Sequence, residues 1–115
     1  HGDLGSALLV RGEVRDGRAH LERAVVLAPR SATYLSNLAY ADLLDGKPEE
    51  AEKRARQAIR LDEKLASAWL NLGLSLARRQ DRKGARAAFE KARQLDPTDP
   101  RARDNLADLD ALERP

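Results

Sequence analysis

Three asparagines recur at a fixed interval along this 115-residue chain: Asn37, Asn71 and Asn105 follow one another at steps of 34 residues. A side-chain amide both donates and accepts, so it can pair with the C=O and N–H groups of a peptide backbone. On helices packed ~8–10 Å apart, such a row would meet an extended ligand, rising ~3.3 Å per residue, about every third residue. The same row could instead tie neighbouring helices together, and the spacing leaves both interpretations open.

Other reactive side chains form no catalytic or metal-binding pattern. The histidines, His1 and His20, have no metal-ligand partner at the third or fourth following residue, and the chain has neither cysteine nor a glycine-rich phosphate loop. Catalysis requires a nucleophile or an acid–base pair held near a cleft. We therefore predict that the chain is not an enzyme and has no catalytic residue, no metal site and no cofactor.

Composition argues against two classes of partner. The 21 basic and 19 acidic residues leave a formal charge of +2, which gives little steering towards nucleic acid or membranes. Only four aromatic residues are present, and they are not interleaved with the basic ones. No apolar run approaches the ~20 residues of a membrane span. We predict no nucleic-acid partner and no membrane insertion. The compartment stays unknown, with the cytoplasm slightly favoured and the periplasm open, and the arginine-rich, alanine-rich composition favours a bacterial source.

The asparagine interval belongs to a repeat that runs through the whole chain. Its clearest copy reads Trp69-x2-Leu72-Gly73-x2-Leu76, then Ala85-x3-Phe89-x2-Ala92-x4-Pro97. A shift of 34 residues places Asn71-Leu72-Gly73 on Asn37-Leu38-Ala39 without a gap. A fixed period in the thirties is typical of a repeat solenoid. The pattern resembles the tetratricopeptide repeat family, and this resemblance implies an all-α, right-handed solenoid of antiparallel helix pairs, with about three repeats and a C-terminal capping helix.

The repeat divides the chain into four units that together make one domain. The first repeat occupies residues 1–31 and is truncated at its N-terminus, the second 32–65 and the third 66–99, and the capping helix occupies 100–115. Local signals agree: Gly46 ends one helix and Pro48 begins the next, while Ser31, Asp81 and Asp99 are predicted N-caps. Asp42 departs from the family pattern, and we predict a packing compromise satisfied by a neighbouring arginine.

The resemblance implies that the first helices of the repeats line a concave groove. Helical periodicity places the asparagines on a stripe separate from the packing stripe that contains Leu35, Leu38, Trp69 and Leu72. Apolar side chains near this stripe, including Leu43, would supply binding pockets, and two arginines would meet an acidic residue or a terminal carboxylate. The predicted groove residues are Asn37, Tyr40, Leu44, Leu70, Asn71, Leu74, Arg78, Arg101 and Asn105.

These observations predict a protein–protein interaction scaffold that holds a peptide or a helix of a partner protein in the groove. The alternative is a structural module that self-assembles, as a homo-oligomer, or spaces the domains of a larger protein. Some family members clamp a C-terminal carboxylate with lysine and arginine beside asparagine. For the first clamp repeat this chain has Gly2 and Ser6, or Ser36 and Tyr40, and for the third it has Ser67 and Asn71, or Arg101 and Asn105. The clamp is not conserved in kind, so we do not predict that specificity.

Overall fold

The computed structural model describes residues 31–113, which form five α-helices and, within that range, no strand. The helices are α1 (Ala32–Leu44), α2 (Pro48–Leu61), α3 (Ala66–Arg78), α4 (Arg82–Leu95) and α5 (Pro100–Glu113). The predicted first repeat, apart from Ser31, lies outside the described residues, as do His1 and His20. The predicted all-α fold is confirmed.

The helices begin where the sequence places a cap or a proline. The side chain of Ser31 accepts a hydrogen bond from the Tyr34 amide, and that of Asp81 accepts one from the Gly84 amide. Pro48 and Pro100 are the first residues of their helices. An Asp99 carboxylate oxygen lies 3.0 Å from the amide of Arg101. Each device satisfies or removes an amide that the first helical turn leaves without a partner.

Each helix packs against the next along the chain, and α1 also packs against α3. One apolar cluster runs through all five helices, from Ala39 and Leu43 to Leu106 and Leu109. Alanine supplies much of α2 and α4, where Ala51, Ala55 and Ala85 are fully buried. Small residues allow helix axes to approach closely, and the core is therefore shared between neighbouring helices, as in other repeat proteins.

Gly73 marks the tightest contact between α3 and α4. A Cβ atom at this position would lie 2.5 Å from the ring of Phe89, which is 1% exposed. The residue that would meet a Gly73 side chain is Phe89, one helical turn after Ala85 on α4.

Asp42 is the largest departure from an apolar core, with 0% of its surface exposed. Its Oδ2 atom accepts a 2.8 Å hydrogen bond from Nε of Arg54 on α2. The predicted arginine partner is therefore present. The pairing is necessary because a buried carboxylate without a counter-charge is strongly destabilising.

Candidate functional site: the first-helix face

The helices α1, α3 and α5 form a surface that we call the first-helix face. Side-chain hydrogen bonds join α1 to α3 along their lengths. The hydroxyls of Ser36 and Ser67 lie 3.0 Å apart, and the Asn71 amide lies 2.9 Å from the Ser36 carbonyl oxygen. Near the end of both helices, the Arg78 guanidinium donates to the Leu43 carbonyl oxygen. The face therefore has fixed spacing between its first two helices.

Two leucines that were predicted to project into the groove lie in the core instead. Leu70 is 3% exposed and Leu43 is 2% exposed. Leu70 lines the junction between α3, α4 and α5, where it lies beside Ala92 and Ala102. The helical period identified a stripe but not its neighbours, and the packing of α4 and α5 covers this position.

The three asparagines of the row do not have equivalent surroundings. Asn71 is 5% exposed, and its Nδ2 atom donates to both the carbonyl and the hydroxyl oxygen of Ser36. Asn105 is half-buried and donates to the Arg101 carbonyl oxygen within α5. Asn37 is half-buried and also makes a contact. The amide nitrogen of Asn71 therefore ties α3 to α1. The Oδ1 atom of the same side chain makes no hydrogen bond to the described residues.

The exposed apolar part of the face lies on α1. Tyr40 is 40% exposed and Leu44 is 42% exposed, and their four-residue spacing puts them on the same side of the helix. Leu74 on α3 is half-buried against the core. Arg78, one turn after Leu74, is exposed and reaches across to the end of α1. These four side chains form an apolar surface with a cationic edge.

A second cation lies at the start of α5. Arg101 is exposed, and its guanidinium makes hydrogen bonds of 2.6 to 3.1 Å to the carboxylate of Asp99. These hydrogen bonds raise the pKa of Arg101, burial opposes the rise, and the negative charges of Asp99 and Asp96 add to it. The same hydrogen bonds hold the pKa of Asp99 below its ordinary value.

Ser36 and Ser67 lie on the first-helix face and contact each other, and this contact was not predicted from the sequence. A repeat alignment places Ser36 on Leu70, and both are buried against the first helix of the following unit. The equivalence of Ser36 and Leu70 in the repeat is the sequence feature that could have identified this position as a contact between helices. Within residues 31–113 no group of three or more histidine, cysteine or acidic side chains is arranged to hold a metal ion, and no helix in that range is long and apolar enough to cross a membrane.

Helix pairs stacked at a 34-residue period, with one surface formed by successive first helices, define a helical-repeat protein. The chain belongs to the tetratricopeptide repeat (TPR) family, whose sequence profile matches residues 3–47 and 41–100. A curated relative is the heat-shock protein cognate (HSC) co-chaperone sgt12 of Aspergillus fumigatus, with 37% identity over 87 residues. The match covers 76% of this chain but only 26% of the co-chaperone, so the chain spans about a quarter of that relative.

Solved structures share the fold over nearly the whole chain. The Sgt2 TPR domain from Aspergillus fumigatus matches with a TM-score of 0.89 and 29% identity, covering 96% of this chain and 75% of that domain. The second TPR domain of human RPAP3, solved in complex with the HSP70 peptide SGPTIEEVD, matches with a TM-score of 0.83 and 27% identity. That match covers 94% of this chain and 90% of the other. Both neighbours are TPR domains, and the second was solved with a bound peptide.

Proposed function

We propose that this TPR domain is a protein-binding scaffold that holds a peptide or a helix of a partner protein on the first-helix face. The observation that carries the proposal is the exposure of Tyr40 and Leu44, which are 40% and 42% exposed on one side of α1. Large apolar side chains grouped on one surface favour an interaction site over an ordinary solvated face. The complex of a related TPR domain with an HSP70 peptide supports the same assignment.

The chemistry of the face selects the kind of ligand. Tyr40, Leu44 and Leu74 would contact an apolar side chain, and the guanidinium groups of Arg78 and Arg101 would attract a carboxylate of the ligand. Oδ1 of Asn71 can accept one backbone N–H, whereas its Nδ2 atom is already used by Ser36. Because a hydrogen bond contributes only ~0.5–1.5 kcal/mol net, the apolar contacts must supply most of the affinity. The ligand is therefore a segment with apolar anchors and some acidic character.

The test is a selection of random displayed peptides on the immobilised chain, followed by titration calorimetry of the selected peptides. Leu44→Glu should weaken binding at least tenfold, because it places a charge among the apolar contacts. Leu61→Glu is the control, since Leu61 is also exposed (37%) but belongs to α2, which is not part of the first-helix face. Circular dichroism must show equal helicity in both variants. Equal affinities of the wild type and Leu44→Glu for every selected peptide would overturn the proposal.

The HSP70 peptide SGPTIEEVD is the second probe. We expect it to bind more weakly than the selected peptides, because this chain has Gly2 or Ser36 where the first repeat of a carboxylate clamp would supply a lysine. Its affinity, compared with that of the same peptide carrying a C-terminal amide, measures how much the terminal carboxylate contributes.

A further inference from the structure

A second cleft opens between α2 and α3, and different residues line it. Arg56, Ile59 and Arg60 of α2 and Trp69 and Leu72 of α3 line a cleft that is open to solvent. Leu72 is 4% exposed and Ile59 is half-buried, so they form an apolar floor. Arg56 and Arg60 are exposed at the rim. We call this site the outer cleft, and none of its residues belongs to the proposed first-helix binding surface.

Trp69 is held in a fixed orientation in the wall of the outer cleft. Its indole Nε1–H donates a 2.8 Å hydrogen bond to the Glu63 carbonyl oxygen in the α2–α3 connection. The ammonium group of Lys91 on α4 lies 6.0 Å from the ring centroid, at the outer range of a cation–π contact. The ring is half-buried and therefore still reachable from the cleft. A rigid aromatic wall lowers the entropic cost of binding an apolar side chain.

The rim of the outer cleft carries more positive charge than its neighbours neutralise. Arg60 makes no ion pair with any residue between 31 and 113, whereas Arg56 donates through Nε to Glu52 at 3.0 Å. Burial raises the pKa of Glu52, but hydrogen bonds from Arg56 and Arg79 outweigh it and lower the pKa overall. Glu52 is thus already shared between two arginines. A guanidinium has five N–H donors, so both rim arginines retain donors for a carboxylate.

We propose that the outer cleft is a second docking site, for an acidic segment of a partner protein that inserts one aliphatic or aromatic side chain. The apolar anchor lies between Ile59, Trp69 and Leu72. Carboxylates that flank the anchor pair with Arg60 and with the free side of Arg56. Charge complementarity selects this occupant, because an uncharged apolar segment would leave the rim cations unused. This site is independent of the first-helix face, so one domain can hold two segments.

Trp69 supplies a local readout, because it is the only tryptophan in the chain. The probe is the acetylated and amidated peptide EDELFDED, which contains no tryptophan, titrated while Trp69 emission is recorded. We expect a saturable change. The uncharged peptide QNQLFNQN and the anchorless peptide EDEGSDED should each bind at least tenfold more weakly. Equal binding of all three peptides, or no saturable change with EDELFDED, would overturn the proposal.

Variants assign the response to the cleft. Arg60→Glu should weaken EDELFDED binding at least tenfold, whereas Arg103→Glu, an equally drastic change on α5 with a 72% exposed side chain, should not. Leu44→Glu on the first-helix face should also leave the response intact. A response lost in Leu44→Glu and kept in Arg60→Glu would place the peptide on the other face and overturn the proposal without affecting the proposed function.

Two further measurements exclude other occupants. Trp69 emission that changes with protein concentration alone, together with a doubled mass in light scattering, would identify a second copy of the chain as the occupant. Tighter binding of the oligonucleotide dT8 than of EDELFDED would identify phosphate chemistry. Either result would overturn the assignment of an acidic protein segment.

Discussion

The α1–α2 and α3–α4 helix pairs are related by 34 residues, yet they fill equivalent positions in different ways. The first pair has Ala39 and Ala55, both 0% exposed, where the second has Gly73 and Phe89. Phe89 fits because Gly73 has no side chain, since a Cβ atom there would lie 2.5 Å from the ring. The second pair therefore has a phenyl ring in place of the methyl groups of two alanines. The repeat conserves neither the residues nor the side-chain volume at this contact, because the glycine makes room for the larger ring.

A second difference is electrostatic. Asp42 and Arg54, joined at 2.8 Å between α1 and α2, occupy the positions of Leu76 and Ala88 in the second pair. Leu76 is 6% and Ala88 is 2% exposed, so the second pair has an ordinary apolar contact. The first pair has instead an ion pair between a buried carboxylate and an arginine whose side chain is 25% exposed. The same helix geometry accepts both solutions. An ion pair must recover the cost of removing two charges from water, whereas an apolar contact has no such cost.

The largest expected effect comes from exchanging the two ways of filling the contact. Phe89→Ala should lower the free energy of unfolding by about 4 kcal/mol, through lost burial and a cavity. Gly73→Ala should lower it by ~1–3 kcal/mol, because the new Cβ overlaps the ring. When combined with Phe89→Ala, Gly73→Ala should instead raise stability by up to about 1 kcal/mol, since alanine is the better helix former.

Urea denaturation of the four proteins in this double-mutant cycle measures the coupling. The comparison between the helix pairs depends on whether the effect of Gly73→Ala on the free energy of unfolding changes sign when Phe89 is replaced by alanine. Additive effects of the two substitutions would mean that Gly73 and Phe89 do not share one volume.

The buried ion pair gives the next largest effect. Arg54→Ala should destabilise the domain by about 3 kcal/mol, because it removes the arginine that pairs with a carboxylate that is 0% exposed. Adding Asp42→Leu reproduces the Leu76–Ala88 combination of the second pair and should restore the stability to within about 1 kcal/mol of the wild type, or above it. Thermal unfolding of the three proteins provides the measurement. A double variant less stable than Arg54→Ala would show that α1 and α2 cannot accept the apolar solution.

The sequence predicted the helix boundaries better than the site. Gly46, Pro48, Ser31 and Asp81 act through local backbone chemistry, which a sequence displays directly, and the structure confirms all four. The partner of Asp42 could be assigned only as an arginine, because several arginines follow at helical spacing. Which of them reaches Asp42 depends on the crossing of α1 and α2.

Leu70 and Asn71 show why the candidate site was only partly predictable. Helical periodicity gives the direction of a side chain from one axis, but burial depends on the neighbours of that helix. The equivalent positions Ser36, Leu70 and Asp104 make this clear. Ser36 and Leu70 are 0% and 3% exposed against the next first helix, whereas Asp104 on the last helix is exposed. Comparing these three residues along the repeat would have identified the position as a helix contact.

The α1–α2 turn and the α3–α4 turn each contain one residue in a left-handed conformation, and this residue differs between the two turns. Gly46 has φ 73° and Gln80 has φ 67°, and both turns close with the same hydrogen bond, from the Lys47 amide to Asp42 O and from the Asp81 amide to Leu76 O. Gln80→Gly should therefore raise the free energy of unfolding by about 1 kcal/mol, because glycine adopts this conformation without strain. Gly46→Ala should lower it by a similar amount. Chemical denaturation that shows no gain for Gln80→Gly would mean that the glutamine is not strained.

The smallest expected effect concerns the N-cap residue that immediately precedes the second helix in each pair. Asp81 caps α4 with its side chain, whereas Lys47 makes no side-chain cap on α2. Lys47→Ser would provide a hydroxyl that accepts a hydrogen bond from the Glu50 amide. The Asp81 carboxylate accepts the equivalent hydrogen bond from the Gly84 amide at 2.9 Å. Asp81→Ala is the converse change and should cost about 1 kcal/mol.

The gain from Lys47→Ser should stay near 0.5 kcal/mol, at the low end for an N-cap. A serine followed by a glutamate three residues later would ordinarily form a reciprocal capping box, in which the glutamate accepts the cap amide. Here the backbone amide of residue 47 already donates to the Asp42 carbonyl oxygen at 2.8 Å. The Glu50 carboxylate therefore cannot accept a hydrogen bond from that amide. The lost contact of Lys47 with Asp45, at 3.4 Å and half exposed, contributes little. A gain above about 1.5 kcal/mol in thermal unfolding would contradict this account and indicate that the turn rearranges to release the amide.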